Sequence, residues 1–209
     1  MNKFSKNIAF TLAEVLLVIG IIGTVSALTL PNLKNNSDER VNISKAKKVY
    51  SDLATAVDRT ALKYPGSPNT WGASNTVNRM NNYLKIKSKS SDYWYQSGDC
   101  ANVATGLADG ASYCAESNST TCMNILFDVD GPKQGYDTVG RDIFKASIRI
   151  PGGMEPIELR PWSCSDAASF SNTTKPGTEN YLNWVVTYDN MDYVKCSSSL
   201  YYQNVTTCK

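Results

Sequence analysis

From Phe10 to Leu30 the chain runs through twenty-one positions with a single charged residue, Glu14. As a helix rising about 1.5 Å per residue, such a run covers roughly 30 Å, the depth of a bilayer's hydrocarbon layer. Beyond Pro31 the pattern becomes amphipathic. Ala46, Val49, Leu53, Ala56 or Val57, and Ala61 recur three or four positions apart, flanked by Tyr50 and Tyr64. Lys45, Lys47, Lys48, Asp52, Asp58 and Arg59 take the other faces, and Pro65-Gly66 stops the period. These positions predict one helix from about Phe10 to Lys63, about 80 Å long, with a membrane half and an amphipathic half. Within it Gly20, Gly23, Ser26 and Pro31 weaken local helicity, and the small residues let helices approach closely.

The next stretch, 65–91, is rich in Asn, Ser and Lys, with a short helix expected over Val77 to Ile86. The aromatic cluster Tyr93-Trp94-Tyr95 reads as packing rather than as a sugar platform. Strand signals follow. Asn124 to Val129, Ile143 to Ile150, Tyr181 to Tyr188 and Met191 to Cys196 are rich in β-branched and aromatic residues. Asp189-Asn190 suits a tight turn joining the last two into a hairpin. The expectation is an α+β fold: an antiparallel sheet of about four strands packed on the amphipathic half-helix.

At 209 residues the chain suits one domain on a long helix. Its net charge of +2 gives no broad basic surface, so no nucleic-acid partner is expected. There is no histidine, which excludes Ser-His-Asp and Cys-His nucleophiles and every His-ligated metal site. Six cysteines, Cys100, Cys114, Cys122, Cys164, Cys196 and Cys208, all follow the helix. None forms a Cys-x-x-Cys pair, and an even count favours disulfides in an oxidising compartment, with fifteen connectivities open.

Three readings of the N-terminus are open. In the first it is a plain signal anchor: Lys3 and Lys6 precede the apolar run, and Lys34, Asp38, Glu39 and Arg40 follow it, which keeps the short end cytoplasmic. In the second it is a secretory signal cut after Val25-Ser26-Ala27, though the run is long for that and carries a carboxylate. In the third the cut falls between Ala9 and Phe10. A lone carboxylate at membrane depth costs about 2.5–3.5 kcal/mol on insertion scales, so Glu14 is a functional candidate that calls for a cationic partner.

The third junction carries a family resemblance. Phe10-Thr11-Leu12-Ala13-Glu14 resembles the leader junction of type IV prepilins and type II secretion pseudopilins. In that family a prepilin peptidase cuts before the Phe and N-methylates it, leaving a Glu at the fifth mature position. Counted from Phe10, Glu14 is fifth, and Pro31 is twenty-second, where the family often has a helix-bending proline. Ala9 stands where the family usually has Gly, which implies less efficient processing. The resemblance implies a pilin-like lollipop fold, with cleavage between Ala9 and Phe10, N-methylation at Phe10, and Glu14 and Pro31 as assembly determinants. It also pairs Cys196 with Cys208, as in the disulfide-bounded C-terminal loop of many pilins. Physically, trimming exposes an amine on Phe10, and Glu14 is its counter-ion, within the same subunit or the next.

Leu126-Phe127-Asp128-Val129-Asp130-Gly131-Pro132, then Gly135-Tyr136-Asp137 and Gly140-Arg141-Asp142, resembles an Asp-rich loop of pseudopilin-like proteins. Asp130 stands where that pattern usually has Asn. Major pseudopilins have a calcium-binding loop, so the resemblance makes Asp128, Asp130, Asp137 and Asp142 candidate calcium ligands. The competing reading is a turn in which the Asp side chains cap backbone amides and Arg141 neutralises one of them.

The expected protein is thus no enzyme but a structural subunit of a type IV pilus-like or type II secretion filament. Its parts are a leader (1–9), a membrane and filament-core helix (10–30), an amphipathic helix (31–64) and a disulfide-containing globular domain (65–209). Its expected partners are the prepilin peptidase, copies of itself or sister pilins, and the inner-membrane assembly platform. It would span the bacterial inner membrane once and then enter a periplasmic or extracellular filament. The alternative is an exported adhesin or lectin-like binding protein with an ordinary signal sequence.

Overall fold

The computed structural model describes residues 11–64, 71–89, 100, 104–119, 122–131, 138–149, 157–165 and 170–208, with only the backbone of 30–36, 88–89 and 117–119. The expectations on Ala9, Phe10, Tyr93-Trp94-Tyr95 and Asp137 lie outside the described residues, as do those on the leader and on the Pro65-Gly66 stop. Helix α1 spans Leu12–Lys63 and continues through Pro31. The chain divides into two compact units, Met1–Asp38 and Glu39–Lys209.

The second unit is α+β. After the C-terminal half of α1 come α2 (Ala73–Met80), strands β1 (Ile86–Lys89), β2 (Thr105–Leu107), β3 (Ser112–Ser119), β4 (Cys122–Asp128), β5 (Ile143–Arg149) and β6 (Glu158–Arg160), then α3 (Tyr181–Tyr188), α4 (Tyr193–Cys196) and a 3₁₀ turn at Ser197–Ser199. The strands form one six-stranded antiparallel meander in chain order. The sheet is larger than the four strands expected: β4 and β5 lie on the expected Asn124 to Val129 and Ile143 to Ile150, and β1, β2, β3 and β6 are additional. Strands β1, β2 and β6 are short and polar, so they carry no alternation that a sequence could show.

The core follows from the two periodicities. Ile43, Ala46, Val49, Leu53, Ala56 and Val57 form one buried stripe on α1. They join Tyr113, Ala115, Met123, Ile125, Phe127, Phe144, Ala146, Ile148 and Leu159, the alternate residues of β3 to β6, in a single apolar cluster. Thr60 rather than Ala61 closes the stripe. It is fully buried, and its hydroxyl donates to the Ala56 carbonyl at 2.7 Å, so no polar group is stranded. The Tyr50 hydroxyl donates to the Leu159 carbonyl at 2.9 Å, linking the helix to β6.

The helix expected over Val77 to Ile86 instead occupies Ala73–Met80, and Ile86 opens β1. The expected C-terminal hairpin is corrected more deeply: Tyr181 to Tyr188 is helical, and so is Tyr193–Cys196. Tyr181, Trp184, Val185 and Tyr188 fall at i, i+3, i+4 and i+7, a helical stripe that their β-propensity hides. Trp184 and Val185 are buried in the core. Asp189, expected in a hairpin turn, ends α3 in the left-handed conformation (φ 56°), with its amide donating to the Val185 carbonyl. Asn190 Oδ1 accepts from Trp184 Nε1 at 2.9 Å and from the Asp192 amide at 3.1 Å, which locks the corner.

Two disulfides order the second face of the sheet. Register places Ser112, Asp128 and Ile143 in one rung, Cys114, Leu126 and Lys145 in the next, and Glu116, Asn124, Ser147 and Arg160 in a third. This face mixes polar residues with a small apolar cluster of Cys100, Ala104, Cys114 and Leu126, and Ser112, Asn124, Asp128 and Ser147 are buried on it. Cys100 bonds Cys114, and Cys122 bonds Cys164, so both bridges attach chain to this face. Asn124 Oδ1 accepts from the Cys164 amide at 2.8 Å. The third bridge, Cys196–Cys208, closes the C-terminal loop, and no cysteine is free.

Candidate functional site

The first turn of α1 is built around Glu14. Thr11 precedes the helix, and its Oγ1 accepts from the Glu14 amide at 3.2 Å, while Glu14 Oε2 accepts from the Thr11 amide at 2.9 Å. This reciprocal pair is a capping box, which satisfies two amides that a helix start leaves without partners. The carboxylate also faces the positive end of the helix dipole. The Thr-x-x-Glu spacing announces such a box, so capping is a role of Glu14 beyond the assembly role expected of it.

From Leu12 to Thr29 the helix has a mean hydropathy of 2.1, and none of this window is buried. Leu12, Leu16, Leu17, Ile19, Ile22 and Leu28 all point outward. This is the one described helix long and apolar enough to cross a membrane. Its two threonine hydroxyls are satisfied within the helix: Thr24 Oγ1 donates to the Ile21 carbonyl at 2.9 Å and Thr29 Oγ1 to the Val25 carbonyl at 3.0 Å. A Cβ added at Gly20 or Gly23 would meet nothing within 4 Å, so both glycines are open small-residue positions.

The Asp-rich turn is held by its own carboxylates. Asp128 Oδ1 accepts from the amides of Asp130 (3.0 Å) and Gly131 (3.1 Å). Asp142 Oδ1 accepts from those of Thr138 (2.6 Å) and Ile143 (3.0 Å). Gly131 has φ +76°, and a Cβ there would lie 2.5 Å from the Gly110 carbonyl oxygen, so only glycine fits. Asp128 is fully buried, and its Oδ2 has no hydrogen-bond partner among the described residues; the Ser112 hydroxyl opposite it is equally orphaned. Burial drives the Asp128 pKa up to about 7, the Asp130 carboxylate adds to the rise, and the two amides oppose it. Burial likewise raises Asp142, helped by the charge of Asp130.

Calcium takes six to eight oxygen ligands. Among the described residues no three acidic or cysteine side chains gather as a metal cluster, and the Oδ1 atoms of Asp128 and Asp142 each already accept two amides. The Oδ1 atoms of Asp128 and Asp142 thus cap the turn. Arg141 makes no ion pair among the described residues; its carbonyl accepts from Asn42 Nδ2 at 3.2 Å.

One polar cluster had no sequence signal. The Ser163 hydroxyl donates to Glu179 Oε2, and Lys145 Nζ donates to Glu179 Oε1 at 2.6 Å. Burial pushes the Glu179 pKa up, but the hydrogen bonds from Lys145 and Ser163 outweigh it and hold the acid below its ordinary value. Ser163 is fully buried, so its hydroxyl offers no nucleophile to a substrate. The cluster ties the 163–165 turn to β5.

No protein-family model, no curated protein and no solved structure matches this chain.

Proposed function

We propose that this chain is a prepilin-like subunit of a helical filament of the type IV pilus or type II secretion kind. A prepilin peptidase trims it between Ala9 and Phe10 and methylates the new Phe10 amine. The observation that carries the reading is the placement of Glu14: the sole charge in an outward-facing apolar helix, five positions into the trimmed chain. Its carboxylate accepts from the Thr11 amide, one residue from where the trimmed chain bears its amine. An acid in lipid is stabilised by such a cation and penalised without it, which favours docking of subunits in one stagger. The α+β fold, the exposed apolar helix and three disulfides suit a membrane-held precursor whose globular unit faces an oxidising compartment. In this reading the chain spans the inner membrane once, then leaves it for the filament, with sister subunits and the assembly platform as partners.

N-terminal mass spectrometry of the mature chain, co-expressed with a prepilin peptidase, tests the reading. A chain starting at N-methylated Phe10 supports it. A start at Leu28, or an intact leader, points instead to an exported binding protein on an ordinary signal.

A further inference from the structure

Lys48, Asp52, Thr55 and Arg59 lie four, three and four residues apart, so they form one stripe of α1, distinct from the buried stripe through Val49, Leu53 and Ala56. Across from them stand Tyr83, Leu84 and Lys85, which lead into β1, and Leu107, Ala108 and Asp109 at the β2–β3 turn. The Ala108 amide donates to the Lys85 carbonyl at 2.8 Å, joining these two segments. The groove they enclose has a volume of about 590 Å³, within the range of small-molecule clefts, roughly 300–1,000 Å³.

Charge is unevenly placed in it. Lys48 pairs with Asp109 and lies 3.5 Å from Asp52, so these acids are engaged. The side chains of Arg59 and Lys85 make no ion pair or hydrogen bond among the described residues, and both are exposed. Arg59 lies eleven residues from Lys48, about 16 Å along the helix axis. Tyr83 and Leu84 are half-buried and Leu107 is buried, giving the groove an apolar wall.

We propose that this groove binds a small organic anion, with its carboxylate or phosphate on Arg59, Lys85 adding the second unpaired positive charge of the lining, and its apolar body against Tyr83, Leu84 and Leu107. A guanidinium fork suits either oxyanion, and an aromatic wall favours a ring-bearing body. The site is independent of filament assembly, so its failure leaves the proposed function untouched.

The test is an amide NMR titration of the full chain in non-ionic detergent, with phenyl phosphate and benzoate as probes and benzyl alcohol as the neutral control. Saturable shifts at the amides of Thr55, Lys85 and Ala108 with either anion are expected. The double variant Arg59→Gln/Lys85→Gln should weaken binding about tenfold or more. Both residues are exposed, and unchanged amide positions for Ile125 and Phe127 verify the fold. Three results would overturn the proposal: no saturable shift with either anion, equal shifts with benzyl alcohol, or undiminished binding in the double variant.

Discussion

Thr11 and Glu14 satisfy each other's main chain: the hydroxyl of one accepts the amide of the other, and the carboxylate returns the bond. A helix cap and a buried counter-ion are different demands on one side chain. The cap needs only an oxygen that accepts, which glutamine also supplies. The counter-ion needs charge. The two roles of Glu14 are therefore separable by substitution.

Asp128 sets a pH dependence. Its pKa is raised in the folded state to about 7, so the fold binds this proton more tightly than the unfolded chain does. The stabilisation is full at pH below the ordinary carboxylate value and is lost as pH rises toward 7. Asp142 shifts in the same direction, and Asp130 is the charge that acts on both. Asp128→Asn keeps an oxygen for the amides of Asp130 and Gly131 and removes the charge. Melting curves at pH 5 and pH 8 should show the wild type losing stability between them, and the variant holding more of it, by on the order of 2 kcal/mol.

Gly140 has φ +86°, and an added Cβ would lie 2.4 Å from the Tyr181 ring. That ring stacks on Tyr193, whose hydroxyl donates to the Gly140 carbonyl. Gly140→Ala therefore combines backbone strain with overpacking. A loss of about 2–4 kcal/mol in denaturant unfolding is expected.

The three disulfides should open in order. Cys100 and Cys114 are buried, whereas Cys196 and Cys208 are half-exposed. Mild reduction followed by alkylation and mass spectrometry should label Cys196 and Cys208 first. Replacing both with Ser should cost roughly 3 kcal/mol, the loop-closure value for a bridge of this span.

These positions also show what a sequence can reveal. The buried stripe of α1 was legible because one helix face meets one apolar sheet face, and Ala46, Val49 and Leu53 repeat accordingly. The central strands β4 and β5 were legible because Ile125, Phe127, Ala146 and Ile148 alternate toward that core. The second face of the sheet was not. Ser112, Asn124 and Ser147 alternate with apolar residues as solvent-facing positions do, yet they are buried on the face to which two disulfides tie further chain. Helix α3 was hidden by composition, since Tyr, Trp and Val favour strands while their spacing in 181–188 is helical. Of the candidate site, Glu14 stood out because charge in an apolar run is costly. The groove beside Arg59 and the Ser163–Glu179–Lys145 cluster join residues distant in the chain, which no local pattern reports.

Calcium gives a further discriminating measurement. With the Oδ1 atoms of Asp128 and Asp142 already bonded to amides, addition of calcium or of a chelator should leave the melting temperature of the full chain unchanged. A rise of several degrees with calcium would mean that Asp137 joins these acids in a cation site.

Glu14→Gln bears most directly on filament assembly. It preserves an accepting oxygen for the Thr11 amide and removes the charge that we propose pairs with the Phe10 amine. Filament yield and membrane-retained subunit are measured side by side in wild type and variant, in cells carrying the peptidase and assembly platform. If charge pairing in lipid drives docking, the variant is trimmed at Phe10 but accumulates in the membrane, and filaments are lost. Filaments in wild-type amounts from the glutamine chain would contradict it, and would leave Glu14 as a helix cap alone.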